Sequence, residues 1–445
     1  MANDVIAAVA TPAGRGGIAV IRLSGPDLRP LLGGLLSCQL QPRCATLAKF
    51  RDAGSGVIDH GIALYFPAPN SYTGEEVAEL QGHGGPVVVQ LLLARCIELG
   101  ARIAEPGEFT KRAFLNNKLD LAQAEGVADL INAATAEAAR CAVRSLEGEF
   151  SDRIDRMVGS LTELRVLVEA TLDFPEEEID FIEKLGLVRR LAELRDALNA
   201  VIAASRQGSL LREGIHVVLA GHPNVGKSSL LNRLAGAERA IVTDVPGTTR
   251  DAIRESIFLR GVPLHVIDTA GLREAQDPVE RIGIARSHEA IAAADLVLWI
   301  SDVARPETWT SDENLINRLA PNAATVKVMN KIDLVAVGSI APEAYSGEVL
   351  GVSAATGEGL DRLVEVILRS AGWGNGEGVF LARSRHLQAL DKAAKHIWAA
   401  SERVAQLELC AEELRLGQTA LASITGDLSA DDLLGKIFSQ FCIGK

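Results

Sequence analysis

The stretch GHPNVGKS, Gly221 to Ser228, has the spacing G-x-x-x-x-G-K-S. Glycines so placed let backbone N–H groups close around a chain of phosphates. Lys227 can then reach the outer phosphate oxygens and Ser228 can bind Mg2+. The flanks suit a phosphate loop, since the apolar run IHVVLAG leads into it and SSLLNRLAG follows at helical spacing. Further motifs extend the chemistry. DTAG, Asp268 to Gly271, ends a strand run. Asp268 can hold the metal through water and Gly271 can offer its N–H to the last phosphate. NKID, Asn330 to Asp333, follows another strand run. Asp333 can accept from the N1 and N2 hydrogens of guanine, which adenine cannot supply. SAA, Ser353 to Ala355, can give a backbone N–H to guanine O6. GTTRD, Gly247 to Asp251, lies between loop and strand, where a switch can supply a threonine to Mg2+. These motifs in this order indicate a guanine-nucleotide site.

The segment resembles the GTPase domains of the Ras-like superfamily, with two differences from the signalling members. Leu272 stands after DTAG, where those proteins carry a water-orienting glutamine. An apolar side chain cannot polarise water, so the catalytic group must come from elsewhere. Glu274, Asp277 and Glu280 in LREAQDPVERIG are the candidates, with solvated loop charge the plainer reading for Glu274 and Asp277. Asn224 lies inside the phosphate loop. Its amide oxygen can coordinate a monovalent cation beside the phosphates, offsetting charge as an arginine finger does.

The elements that must carry these residues divide the chain. Residues 1–117 alternate short apolar runs with turn signals such as PAGRGG and PAPNSYTGEE. IAVIRL reads as a strand and PVVVQLLLARCIELG as a helix, so an α+β domain is expected. Residues 118–211 and 374–445 have helical spacing. Residues 212–373 alternate the strand runs IHVVLAG, RESIFL, PLHVIDT, ADLVLWI, VKVMNK and EVLGVSA with amphipathic helices. That is the pattern of a mostly parallel α/β sheet. The expected architecture is a discontinuous all-α helical domain with an α/β GTPase domain inserted into it.

Composition sets further bounds. The formal net charge of −13 over 445 residues, without a basic run, requires any nucleic-acid contact to use a local patch or a partner's surface. Six cysteines over this length do not read as a disulfide framework. No signal peptide or membrane-spanning run is evident, and a cytoplasmic location is expected.

The resemblance extends along the whole chain. ATPAGRGGIAVIRLSG, PNSYTGEEVAELQGHGGP and PGEFTKRAFLNNKLDLAQAE, a helical region split by a GTPase segment, and the terminal CIGK together resemble the MnmE (TrmE) family of tRNA modification GTPases. The resemblance implies a folate-binding-like amino-terminal domain that also forms a homodimer. It implies work with the flavoprotein MnmG to place an aminomethyl or carboxymethylaminomethyl group on C5 of the wobble uridine of certain tRNAs. The carbon would come from a reduced tetrahydrofolate derivative, in the 5-formyl or 5,10-methylene form. Potassium-dependent GTP hydrolysis would bring two GTPase domains together.

Carried over by residue, GTP contacts fall on Asn224, Val225, Gly226, Lys227, Ser228 and Ser229, on Thr243, Asp244, Val245, Pro246, Gly247, Thr248 and Thr249, and on Asp268, Thr269, Ala270 and Gly271. The guanine contacts fall on Asn330, Lys331, Asp333, Ser353, Ala354 and Ala355. Magnesium falls on Ser228 and Thr249, and potassium on Asn224, Thr243, Val245 and Thr248. The catalytic glutamate falls on Glu280, and folate contacts on Arg22, Glu79, Lys118 and Lys445. Pro246 stands where alanine also occurs in the family, outside the GTTRD motif.

The folate assignment has its own chemical sense. Glu79 can accept paired hydrogen bonds from the amidine-like edge of a pterin, and Arg22 and the lysines suit an anionic glutamate tail. Taken singly, Arg22 reads as a surface cation, His83 in QGHGGP as structural, and DFPEEEIDF as a solvated acidic turn.

The end of the chain, FSQFCIGK, leaves Cys442 as a lipid anchor, a reactive thiol or a packed residue. Lys445 is a poor final residue for prenylation. Ser429 can cap a helix with Asp432 three residues on. Leu433, Leu434, Ile437, Phe438 and Phe441 then share a face that can dock on the helical domain. This docking would bring Cys442 and Lys445 to the folate pocket, with Cys442 as nucleophile or positioning group. The alternative for the whole chain is a regulatory RNA- or ribosome-assembly GTPase without one-carbon chemistry.

Overall fold

The computed structural model describes residues 4–173, 186–222, 224–237, 256–268, 292, 294–304, 320–321, 323–335, 349–374, 378–426, 431–439, 441–442 and 444. The chain forms two compact units. The first comprises Met1–Ala128, Leu146–Thr162 and Gln418–Lys445; the second comprises Asp129–Ser145 and Glu163–Gly417.

The first unit is built on a six-stranded sheet of order β3-β4-β5-β2-β1-β6. The strands are β1 (Val5–Val9), β2 (Gly16–Gly25), β3 (Thr46–Arg51), β4 (Val57–Phe66), β5 (Glu76–Gly84) and β6 (Ala101–Ile103). All neighbours are antiparallel except β1 and β6. The expected IAVIRL strand lies within β2, and the expected helix is Pro86–Glu98. Alternation along the strands separates two faces. Ile21, Leu23, Phe50 and Leu80 pack with Leu31, Leu92 and Cys96 on one. Ile6 and Ala8 pack with Ala104 and Phe109 on the other.

The helix Glu108–Leu115 starts at Gly107, whose φ of 67° lies in the left-handed region. Helix Asp431–Phe438 places Leu434, Ile437 and Phe438, with Phe441 beyond it, against Leu121, Ala124 and Ala128. The expected docking face is thus assembled on the Leu121–Ile131 helix, with Phe114 at its edge. Ser429 and the side chains of Asp432 and Leu433 lie outside the described residues.

The second unit holds a six-stranded sheet of order β12-β11-β10-β7-β9-β8. Its strands are β7 (Ile215–Ala220), β8 (Ser256–Leu259), β9 (Val262–Asp268), β10 (Leu296–Asp302), β11 (Ala324–Asn330) and β12 (Val349–Gly351). Each expected strand run overlaps one of them. All pairings are parallel except β8 with β9. Parallel central strands are covered on both faces, which explains why LVLWIS in β10 is buried throughout. Val217, Leu219, Leu298 and Ile300 face one core; Val218, Ala220, Val297 and Trp299 face the other.

The long helix Leu187–Glu213 precedes this sheet, and the segment 379–382 crosses it at Gly208, where an added Cβ would lie 1.5 Å from the Phe380 carbonyl oxygen. Buried Asp129 accepts hydrogen bonds from Arg383 (2.8 Å) and Arg212 (3.3 Å). Among the described residues no helix is long and apolar enough to cross a membrane.

Candidate functional sites

In an open α/β sheet, ligands bind at the carboxyl ends of the strands. The described motifs of the second unit collect there. β7 ends at Ala220 and the phosphate loop follows. Gly221 sits at φ +143°, and a Cβ on it would lie 2.1 Å from the Ile300 carbonyl oxygen. Gly226, at φ +94°, would bring a Cβ to 2.4 Å from Asn330 Nδ2. Both positions need glycine for conformation and for space. The helix Lys227–Ala237 then begins, with Ser228 and Ser229 in its first turn. Lys227 Nζ donates to the Gly221 carbonyl at 2.6 Å. The ammonium therefore already lies across the loop that would cradle phosphates.

Asn330, 1% exposed, ties three motifs together. Its Nδ2 donates to the Val225 carbonyl at 2.9 Å, and its Oδ1 accepts from the N–H groups of Lys331 (2.8 Å) and Ala354 (3.1 Å). Lys331, at φ +68°, sends its ammonium to the Asn224 carbonyl and to Asp302 Oδ2, each at 2.8 Å. Buried Ser353 donates to Asp333 Oδ1 at 2.5 Å and orients that carboxylate. Asp302 was not anticipated from sequence. Its signal is positional: it ends β10 opposite Asn330 in the parallel ladder.

Asp268 ends β9 beside Leu219 of β7. Thr243, Asp244, Val245, Pro246, Gly247, Thr248, Thr249, Thr269, Ala270, Gly271, Glu274, Asp277 and Glu280 lie outside the described residues, as does the side chain of Asp268. The described groups can hold phosphates, present a serine hydroxyl to a metal and read a guanine edge. The described potassium candidate, Asn224, is exposed at φ +64°.

The first unit brings together a second set of residues. Arg22 of β2 and Glu79 of β5 are direct ladder partners. Arg22 Nη2 and Nε lie 2.8 and 3.0 Å from the same oxygen, Glu79 Oε1. The guanidinium carbon is 5.5 Å from the Tyr72 ring centroid and 5.9 Å from that of Phe109. The Tyr72 hydroxyl is 2.9 Å from Thr110 Oγ1, and burial raises its phenol above the usual range. Asn116 donates to the Thr73 carbonyl at 2.7 Å. Lys118 lies over Gly74, where an added Cβ would be 3.3 Å from its Cγ.

Arg22 is therefore a partner of Glu79 and not a free surface cation. Tyr72, Phe109 and Thr110 were missed by sequence reasoning because their relation to Arg22 is purely spatial. His83 is hydrogen-bonded through Nδ1 to Asp59 at 2.7 Å. Lys445 and the stretch 174–181 lie outside the described residues. The latter contains the rest of the acidic turn after Asp173, which ends its helix.

The Cys442 carbonyl accepts from the Gly107 N–H at 3.3 Å, while the Cys442 residue is exposed. Cys96, Cys141 and Cys410 are buried by contrast. Burial raises the Cys96 thiol to about 12 and that of Cys410 to about 11.

Two family models match the chain: the GTP-binding protein TrmE N-terminus over residues 5–118, and the MnmE helical domain over 121–442. The chain is 60% identical to the tRNA modification GTPase MnmE of Nitrosomonas europaea, over 100% of this chain and 99% of that one. It is 58% identical to the protein of the same name from Azoarcus sp., over 99% and 98% of the two chains. Among solved structures, the G domain of T. maritima FeoB is 30% identical over 35% of this chain and 98% of that chain, with a TM-score of 0.26.

Proposed function

The chain belongs to the MnmE family of tRNA modification GTPases, and on that premise we propose that it works with the flavoprotein MnmG to modify the wobble uridine. It is a GTP-hydrolysing enzyme that acts in tRNA modification. Our finer reading is transfer of an aminomethyl or carboxymethylaminomethyl group to C5 of that uridine, with a one-carbon unit from a reduced folate. A homodimer formed through the amino-terminal region, and potassium-dependent pairing of GTPase domains, complete the reading.

For the nucleotide half, the supporting observation is the buried Asn330, which couples the phosphate loop to the guanine-reading segments. Asp333 accepts from the guanine edge. The Ala354 N–H is taken by Asn330, which leaves the Ala355 N–H for guanine O6. Ser228 and Thr249 would hold magnesium, and Asn224, Thr243, Val245 and Thr248 would hold potassium. Glu280 would orient the attacking water, since Leu272 cannot.

The one-carbon half rests on the Arg22–Glu79 pair between two aromatic rings. Two guanidinium donors fix one oxygen of Glu79 and leave the other to accept from a planar heterocycle, a fit for the pterin edge. Arg22 thereby orients Glu79, while Lys118 and Lys445 remain the cations for an anionic tail. A bound folate would supply the one-carbon unit. Cys442 would bring a thiol to this wobble-uridine chemistry, as nucleophile or as positioning group.

Mass spectrometry of wobble nucleosides from a deletion strain, with and without the restored gene, tests the reading. Loss and recovery of the modified uridine is expected. Unchanged wobble uridines would overturn it in favour of a regulatory RNA-associated GTPase.

A further inference from the structure

We propose that Gly107 and Gly444 form a two-point backbone latch that holds the end of the chain and presents the Cys442 thiol, a proposal that rests on the reading that this thiol serves wobble-uridine modification. Gly107 is held at φ +67° and donates its N–H to the Cys442 carbonyl. An added Cβ would lie 2.7 Å from the Phe438 carbonyl oxygen and 2.8 Å from Phe441 Cβ. Neither atom is the far end of a flexible side chain, so neither can swing away. Gly444, at φ +96°, lies against the end of β1, where a Cβ would be 2.4 Å from the Val9 carbonyl oxygen and 3.2 Å from Ala10 Cα. Any L side chain at either position meets backbone conformational cost and collision together.

The latch grips the main chain and leaves the thiol outside. Phe441 is 7% exposed and Gly444 is buried, yet Cys442 between them is exposed. Phe438 and Phe441, with ring centroids 5.3 Å apart, anchor the approach to the first grip.

Both grips belong to elements that also build the Arg22–Glu79 corner. Ala8, next to Val9, is the ladder partner of Arg22. Phe109, two residues beyond Gly107, has its ring under the Arg22 guanidinium. Gly107 and Gly444 are thus positioning residues that act through Cys442.

Gly107→Ala in the full-length protein tests this, with Gly444→Ala and Phe441→Ala as independent ways to open the latch. Phe441→Leu is the conservative control. Hydrogen exchange read on peptides spanning 438–445, and on the Gly107 amide, reports the latch directly. Wobble modification in the presence of MnmG reports its use. Faster exchange is expected in the three opening variants, with near wild-type protection in Phe441→Leu. The kcat for modification should fall about 100-fold, the scale for displacing a reacting group by about 1 Å. KM for tRNA and GTP hydrolysis should stay unchanged. Should Gly107→Ala fail to fold, the other two opening variants decide. Unaltered exchange in the opening variants would overturn the latch. Faster exchange with full modification would overturn its positioning role. Full modification by Cys442→Ser would overturn the underlying thiol reading, and exchange would still judge the latch.

Discussion

The nucleotide site and the Arg22–Glu79 corner hold polar groups ready for a ligand in different ways. In the second unit, most of the ligand-facing groups come from short contiguous runs, each beginning where a parallel strand ends. One buried amide, Asn330, then locks those runs together. In the first unit, Arg22, Tyr72 and Glu79 come from separate segments that antiparallel register brings together, and Gly107 meets Cys442 through a backbone contact. A contiguous loop concentrates function in single side chains. A scattered corner depends on every element that sets its register.

The largest effect should follow loss of the group proposed to orient the attacking water. Glu280→Ala should lower kcat for GTP hydrolysis by roughly 10- to 10,000-fold, the range for a positioned general base or water-orienting group. GTP affinity should change little. Hydrolysis at the normal rate would return attention to Glu274 and Asp277.

Asp333→Asn tests recognition separately from chemistry. In the proposed site the carboxylate would accept two hydrogen bonds from guanine, and charge-assisted bonds contribute about 1.5–3 kcal/mol each. GTP affinity should fall on the order of 100-fold or more, while XTP binding improves, because an amide donor suits the 2-oxo group of xanthine. A variant that binds GTP normally and ignores XTP would break the assignment. Ser353→Ala should give a weaker version of the same loss, since its hydroxyl orients Asp333.

Asp333 and Ser353 lie in motifs legible in the sequence, and the reason is physical. Phosphate and guanine recognition need several groups within a few ångströms, and GHPNVGKS, NKID and SAA deliver them with local backbone geometry. Strand periodicity likewise pointed to the six described strands of the second unit. The pairing of Arg22 with Glu79 was not legible, because it depends on the register of β2 against β5, 57 residues apart. Gly107 gave no signal at all: its need for glycine comes from Phe438 and Phe441, more than 300 positions later. Asp302 was missed for the same reason, its role being set by its place opposite Asn330.

A smaller effect should separate the cation from the nucleotide. At equal ionic strength, GTP turnover in potassium should exceed that in sodium, since the proposed cation cradle at Asn224 would select by radius. Asn224→Ala should abolish the difference and leave GTP affinity largely intact, because Lys331 meets the Asn224 backbone carbonyl and not its side chain. Equal turnover of the wild type in both salts would remove potassium from the mechanism.

The smallest effect is one of stability and belongs to the first unit. Burial raises the Asp4 and Glu108 carboxyls, but hydrogen bonds from Arg102 and Arg112 outweigh it and leave both below the ordinary carboxylate range. A carboxylate whose folded value is depressed stabilises the fold above its unfolded value, near 4. That contribution is lost as pH falls through the folded values, so the window lies below about pH 4. Protonation also strips partners from Arg112, whose side chain is only 7% exposed and which bonds Asp4, Glu75 and Glu108. An unpaired buried guanidinium is costly, so the network should fail together. Peptide-resolved hydrogen exchange in rising urea, at pH 7 and at pH 3.5, can follow this unit separately from the other. Glu108→Gln should lower the midpoint for the Glu108–Leu115 helix at pH 7, with no change in GTP hydrolysis. The gap from wild type should narrow at pH 3.5, where protonation of this carboxyl in the unfolded chain already removes part of the advantage of its ionised, paired form. A gap of the same size at both pH values would mean that Glu108 acts through packing and not through charge.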